Sequence, residues 1–134
     1  MKYTNLIAGY SFQYPNYFEY GEKSEKPNFI FLYSKLDGAD IITVTRRLAT
    51  NEGFKTAEDW YVNMAKEGYY KMKDVEIAHA SGVIVLDNVD KAMPFQGRYI
   101  NIGFIKDGYI FSINLRGFTE EQMMRFIENF KFLK

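Results

Sequence analysis

"GRYINIGFIKDGYIFSINLRG", Gly97 to Gly117, decides how this chain is read. Asp107-Gly108 at its centre is a two-residue hairpin signal, because the favoured turn needs positive φ at both central positions. Such a loop fixes the register. Lys106 then faces Tyr109, Ile105 faces Ile110, Phe104 faces Phe111 and Gly103 faces Ser112. Further out, Ile102 faces Ile113, Asn101 faces Asn114 and Ile100 faces Leu115. One side of the ribbon collects Ile100, Ile102, Phe104, Phe111, Ile113 and Leu115. The other collects Tyr99, Asn101, Gly103, Ile105, Ile110, Ser112, Asn114 and Arg116. Each large apolar side chain gains ~1.5–3 kcal/mol on burial, so the first side is core. The second is mostly polar and is read as open to solvent or a ligand.

Downstream, Thr119 and Gln122 form a T-x-x-Q capping box. Met123, Phe126, Ile127 and Phe130 follow as the apolar stripe of a helix, with Phe118 placed to staple onto Met123. "KFLK" closes the chain as a short edge segment. Upstream, "NVDKAMPF" is a loop containing Pro94, and "VEIAHAS" and "GVIVLD" read as two short strands joined near Ser81-Gly82. An earlier helix starts at Thr56, with Asp59 three residues on. Ala57, Trp60, Tyr61, Met64 and Ala65 share one face, and Gly68 is a plausible stop. Trp60 is the only tryptophan, and it packs this helix onto the sheet.

The first third reads as strands. Tyr10, Phe12 and Tyr14 alternate with Ser11 and Gln13, and Pro15 removes a ladder donor and ends that strand. Tyr17, Phe18 and Tyr20 are expected in an irregular turn over the sheet edge. These rings suit a core better than a stacking platform, because no Lys or Arg lies between Lys2 and Lys23. "GEKSEKPN" (Gly21 to Asn28) is a polar surface loop. "NFIFLYS" is an interior strand, Asp37-Gly38 turns the chain, and "IITVTRRL" returns as a β-branched strand.

The chain has 134 residues, 47% hydrophobic and 18% aromatic, which fits a single domain over 1–134 with a full core. Seventeen basic residues balance seventeen acidic ones. A zero balance argues against a nucleic-acid partner, since phosphate neutralisation supplies much of that affinity. Cysteine is absent, which excludes disulfides, thiolate nucleophiles and cysteine-based zinc sites. No run approaches the ~20 apolar residues of an integral membrane segment. As written the chain reads as cytoplasmic, and as extracytoplasmic if a leader was removed.

The element order resembles the PsbP-like family, which includes PsbP, DcrB-type bacterial proteins and a Ran-binding import factor. The markers are Phe12 to Pro15, Trp60 in the first helix, the Gly108-Tyr109 hairpin start and the ending Phe130 to Phe132. The resemblance spans nearly the whole chain and implies an α+β fold: a twisted antiparallel β-sheet with helices packed on its faces, an α/β/α sandwich. It implies no shared catalytic motif, and the members that are understood act as assembly or binding factors.

Phosphate-binding glycine loops are absent. His79 is the only histidine; it is read as a strand residue, and nothing orients it against Ser81 and Asp87. Asp87, Asn88 and Asp90 resemble the start of a calcium loop, but the sixth and twelfth positions hold Ala92 and Arg98, so a turn is expected and no metal. Glu120 and Glu121 complement a helix N-terminus. Lys71 to Lys73 and the Arg46-Arg47 pair read as solvated surface, the arginines on opposite faces of a strand. No catalytic residues and no cofactors are expected. The candidate contact residues are Tyr99, Asn101, Ser112, Asn114 and Arg116, with Gly103 leaving room for close approach. The expected function is non-catalytic: a binding or assembly module for a protein, peptide or small polar ligand. A chaperone cupping an apolar client helix, motivated by Ile105 and Ile110, and a small hydrolase are the alternatives.

Overall fold

A seven-stranded antiparallel sheet is the centre of the fold, in a computed structural model that describes residues 1–20, 28–88 and 93–133. Its strands are β3 (Phe18–Tyr20), β4 (Phe29–Ser34), β5 (Ile41–Leu48), β6 (Tyr69–Ile77), β7 (Ala80–Asp87), β8 (Ile100–Lys106) and β9 (Tyr109–Leu115), in the order β3-β4-β5-β9-β8-β7-β6. A smaller sheet joins β1 (Lys2–Asn5), β2 (Tyr10–Gln13) and β10 (Lys131–Phe132), with β2 in the middle. Among the described residues there are three α-helices, the single turn α1 (Ala49–Glu52), α2 (Ala57–Lys66) and α3 (Glu120–Asn129), and one 3-10 turn at Phe95–Gly97. The α+β class and the helix-flanked antiparallel sheet are those expected.

The central hairpin has the predicted register at every pair from Lys106↔Tyr109 to Ile100↔Leu115. Asp107 and Gly108 take φ of 52° and 80°, the paired positive values that this turn demands. Ile100, Ile102, Phe104, Phe111, Ile113 and Leu115 are all buried. They meet Tyr10, Phe12, Phe126 and Phe130 from the small sheet and α3 in one continuous core. Tyr10 sets its ring edge-on to Phe111 at 6.0 Å, and Phe12 meets Phe126 at 4.9 Å. The aromatic cluster of the N-terminal segment is thus core packing, with the ring area of Tyr10, Phe12 and Tyr14 removed from water.

Both capping boxes form. Thr56 Oγ accepts from the Asp59 N–H, and Asp59 accepts from the Thr56 N–H. Thr119 and Gln122 repeat the arrangement at α3. Met123, Phe126, Ile127 and Phe130 are buried as the stripe predicts. Phe118 is also buried, and its ring meets Phe18 and Phe126.

Several expectations are corrected. Phe18–Tyr20 is a strand on the sheet edge rather than an irregular turn. β6 starts at Tyr69, well before the "VEIAHAS" stretch read as the strand, and its alternation is broken by a register shift between Lys71 and Lys73. The turn between β6 and β7 falls at Ala78 and His79, both at positive φ, and not at Ser81-Gly82. Ala65 is exposed, so the inner face of α2 is narrower than its apolar pattern. Arg46 lies over the Tyr109 ring and Arg47 pairs with Glu52, so neither is simply solvated. The polar loop expected at 21–28 lies outside the described residues except for Asn28, as do the positions of Asp90 and Ala92. Among the described residues, no helix is long and apolar enough to cross a membrane.

Candidate functional site

The second face of the large sheet is divided. Helix α2 covers part of it, packing over β6, β7 and β8. Ala49, Ala57, Trp60, Val83, Val85 and Ile110 form a separate buried cluster there, with Phe54, Tyr61, Met64 and Ile105 against it. Trp60 lies directly on Gly103, so close that a Cβ would overlap the indole. The room left by Gly103 is therefore filled by the chain's own tryptophan. Ile110 is buried and Ile105 packs beside it, so both are engaged within the chain.

Beyond α2 the face carries the five predicted contact residues. Asn101 and Asn114 are directly opposite across β8 and β9, and Gly103 is opposite Ser112. On β5, Thr43 sits beside Asn114 and Thr45 beside Ser112, where the Thr45 hydroxyl donates to the Ser112 carbonyl at 3.2 Å. Tyr99 is 39% exposed, Ser112 and Asn114 are half-buried, and Asn101 is buried at 5%. The face is less open at Asn101 than alternation alone suggests, and β8 is a strand that α2 packs over.

Arg116 lies just past β9. Its guanidinium sits over the Tyr99 ring at 5.4 Å, and Nη1 donates to Asp40 Oδ1 at 3.3 Å. Asp40 in turn packs over Gly117, whose φ of 88° and lack of a side chain allow that approach. Burial, reinforced by nearby Asp37, raises the Asp40 pKa, while Arg116 pulls the other way.

The hydrogen-bond accounting singles out this strip. Among the described residues, the buried side-chain atoms with no hydrogen-bond partner are Asn101 Nδ2, Asn114 Oδ1 and Arg116 Nε. Each such group forgoes the bonds it would make to water, at a cost of ~1–3 kcal/mol. They sit within the set chosen from the hairpin alone.

A cavity of about 300 Å³ adjoins the strip. Phe54, Trp60 and Met64 wall it, Ile110, Ser112 and Thr45 floor it, and Arg47, Glu52, Asn63 and Glu67 stand at its mouth. Ser112 belongs to both cavity and strip. The sequence put Met64 on the inner face of α2 but offered no direct signal for Phe54 or Thr45, since their meeting with it depends on β5 pairing with β9.

The remaining motifs are placed as follows. His79 is in a turn, not a strand, with its side chain 95% exposed and Nδ1 3.7 Å from Glu76. Asp87 is joined to buried Arg98, which donates to its carboxylate and its carbonyl and lies over the Tyr70 ring. No group of three or more His, Asp or Glu suited to a metal ion occurs among the described residues.

No protein-family model matches the chain, and no curated protein sequence matches it significantly. Solved structures do. The solution structure of cyanobacterial PsbP (CyanoP) from Synechocystis sp. PCC 6803 superposes with a TM-score of 0.60 at 16% identity, over 98% of this chain and 91% of that one. The chain has a PsbP-like fold.

Proposed function

We propose that this PsbP-like domain is a non-catalytic binding or assembly module, and that it recognises a protein or peptide segment through Tyr99, Asn101, Ser112, Asn114 and Arg116. The observation that supports this reading is the orphaned trio on the strip: a donor on Asn101, an acceptor on Asn114 and a donor on Arg116. A peptide bond carries one donor and one acceptor, and so complements such a set. Fold stability gives no reason to keep three unpaired groups on one face, since functional sites are where local rules are broken at a cost elsewhere. The strip holds no nucleophile-base pair, which favours recognition over turnover.

The test is the double variant Asn101→Ala/Arg116→Ala. The wild-type protein is expected to retain a partner in affinity capture that the double variant releases, with melting temperatures that agree within a few degrees. A large fall in melting temperature with no change in capture would mean that both groups are structural.

A further inference from the structure

We infer that the cavity beside the strip receives an apolar side chain of the bound segment, and that the residue two positions along, on the same face of that segment, is basic. This rests on the peptide-binding reading of the strip.

Three observations lead there. The lining is mixed, and its apolar part is Phe54, Trp60, Met64 and Ile110, which pack as one cluster. An apolar group seated against those four side chains gains free energy by leaving water. Its mouth is acidic on balance. Arg47 and Glu52 are 3.6 Å apart and offset one another, while Glu67 has no ion pair among the described residues. One carboxylate is left to attract a cation. Finally, Ser112 lies in the cavity floor and Asn114 is the next residue on the same face of β9. Same-side residues two apart on an extended chain lie ~7 Å apart. An extended peptide over β9 has that same repeat, so one side chain drops into the cavity while its backbone reaches the Asn101–Asn114 pair.

Acetylated and amidated pentapeptides provide the probe: Gly-Leu-Gly-Lys-Gly, Gly-Leu-Gly-Glu-Gly and Gly-Gly-Gly-Lys-Gly. Trp60 is the only tryptophan and walls the cavity, so its emission reports occupancy directly. The Leu-Lys peptide is expected to shift the emission at the lowest concentration. The Leu-Glu peptide should need about fivefold more, the scale of an exposed charge pair, and the Gly-Lys peptide should leave the emission unchanged. Glu67→Lys should reverse the Lys-over-Glu preference. Equal responses to Lys and Glu, or no response to either leucine peptide, overturns the inference. Should Asn101→Ala/Arg116→Ala abolish partner capture while the peptides show no such preference, the strip reading stands and the cavity assignment fails. The reverse pattern would leave the cavity as a site and remove the strip.

Discussion

The Trp60 indole rests on Gly103 with no space between them for a methyl group. This contact joins α2 to the sheet, since Trp60 and Ala57 are the buried residues of that helix. Gly103→Ala should lower stability by about 1–3 kcal/mol through overpacking. Trp60→Ala should cost about 3–5 kcal/mol. The double variant should cost less than the sum, because removing the indole makes room for the new methyl. Urea unfolding of the four proteins closes this cycle, and strict additivity would refute the direct contact.

Asn101→Val is expected to raise the unfolding free energy by roughly 1 kcal/mol, because it removes a buried amide nitrogen that has no partner. The same change should abolish partner capture. A loss of stability instead would mean that the amide is satisfied in the folded protein.

The β6–β7 turn carries strain that the sequence could relieve. Ala78 and His79 hold φ of 51° and 66°, a conformation costing ~1–2 kcal/mol for an ordinary L-residue. Ala78→Asn with His79→Gly supplies the residues this turn favours. Chemical denaturation should show a gain of about 1 kcal/mol or more.

Thr119→Ala removes the hydroxyl that accepts from the Gln122 N–H at 3.1 Å. A loss of about 1 kcal/mol is expected. Thr119→Ser should recover most of it, since the cap needs only the oxygen.

Two carboxylates give opposite responses to pH. Asp59 is lowered below its ordinary 3.8 by the N–H groups of Lys55 and Thr56. Its stabilising effect is complete above that ordinary value and is lost as pH falls through the lower, folded one. Asp40 is raised, chiefly by burial. Its ionised form therefore costs stability at neutral pH, and the cost disappears as pH falls through the raised value. At pH 7, Asp59→Asn should melt below the wild type and Asp40→Asn at or above it. Both differences should shrink in melts carried out at progressively lower pH.

The hairpin was legible because its signals are local. Asp107-Gly108 set the turn, the turn set the register, and period two then assigned every side chain to a face. The capped helices were legible for the same reason. What escaped notice depends on distant partners. β1 is four residues long, and the segment after it places Leu6 and Ile7 in solvent. β3 has three residues and is defined only by β4. The bulge in β6 erases its alternation, and Ala78-His79 is not a turn sequence by composition. At the site, the Asn101–Asn114 pairing follows from the hairpin. The closing of Gly103 by Trp60, and the cavity beside Ser112, require α2 and β5 to arrive from far along the chain.

The pairing of β5 with β9 also sets a time scale. β6 to β9 form a meander in which each strand follows its neighbour in sequence, and the hairpin at its end can close in ~1–10 μs. β5 joins that meander across a wide gap; the Thr45–Ser112 bond alone spans 67 positions. Closing so long a loop is an entropic cost met before any contact rewards it. The slow event in refolding is therefore expected to be the arrival of β5, with β3 and β4, on the β6–β9 meander; stopped-flow refolding in which Thr45→Ala and Phe104→Ala slow folding equally would refute that order.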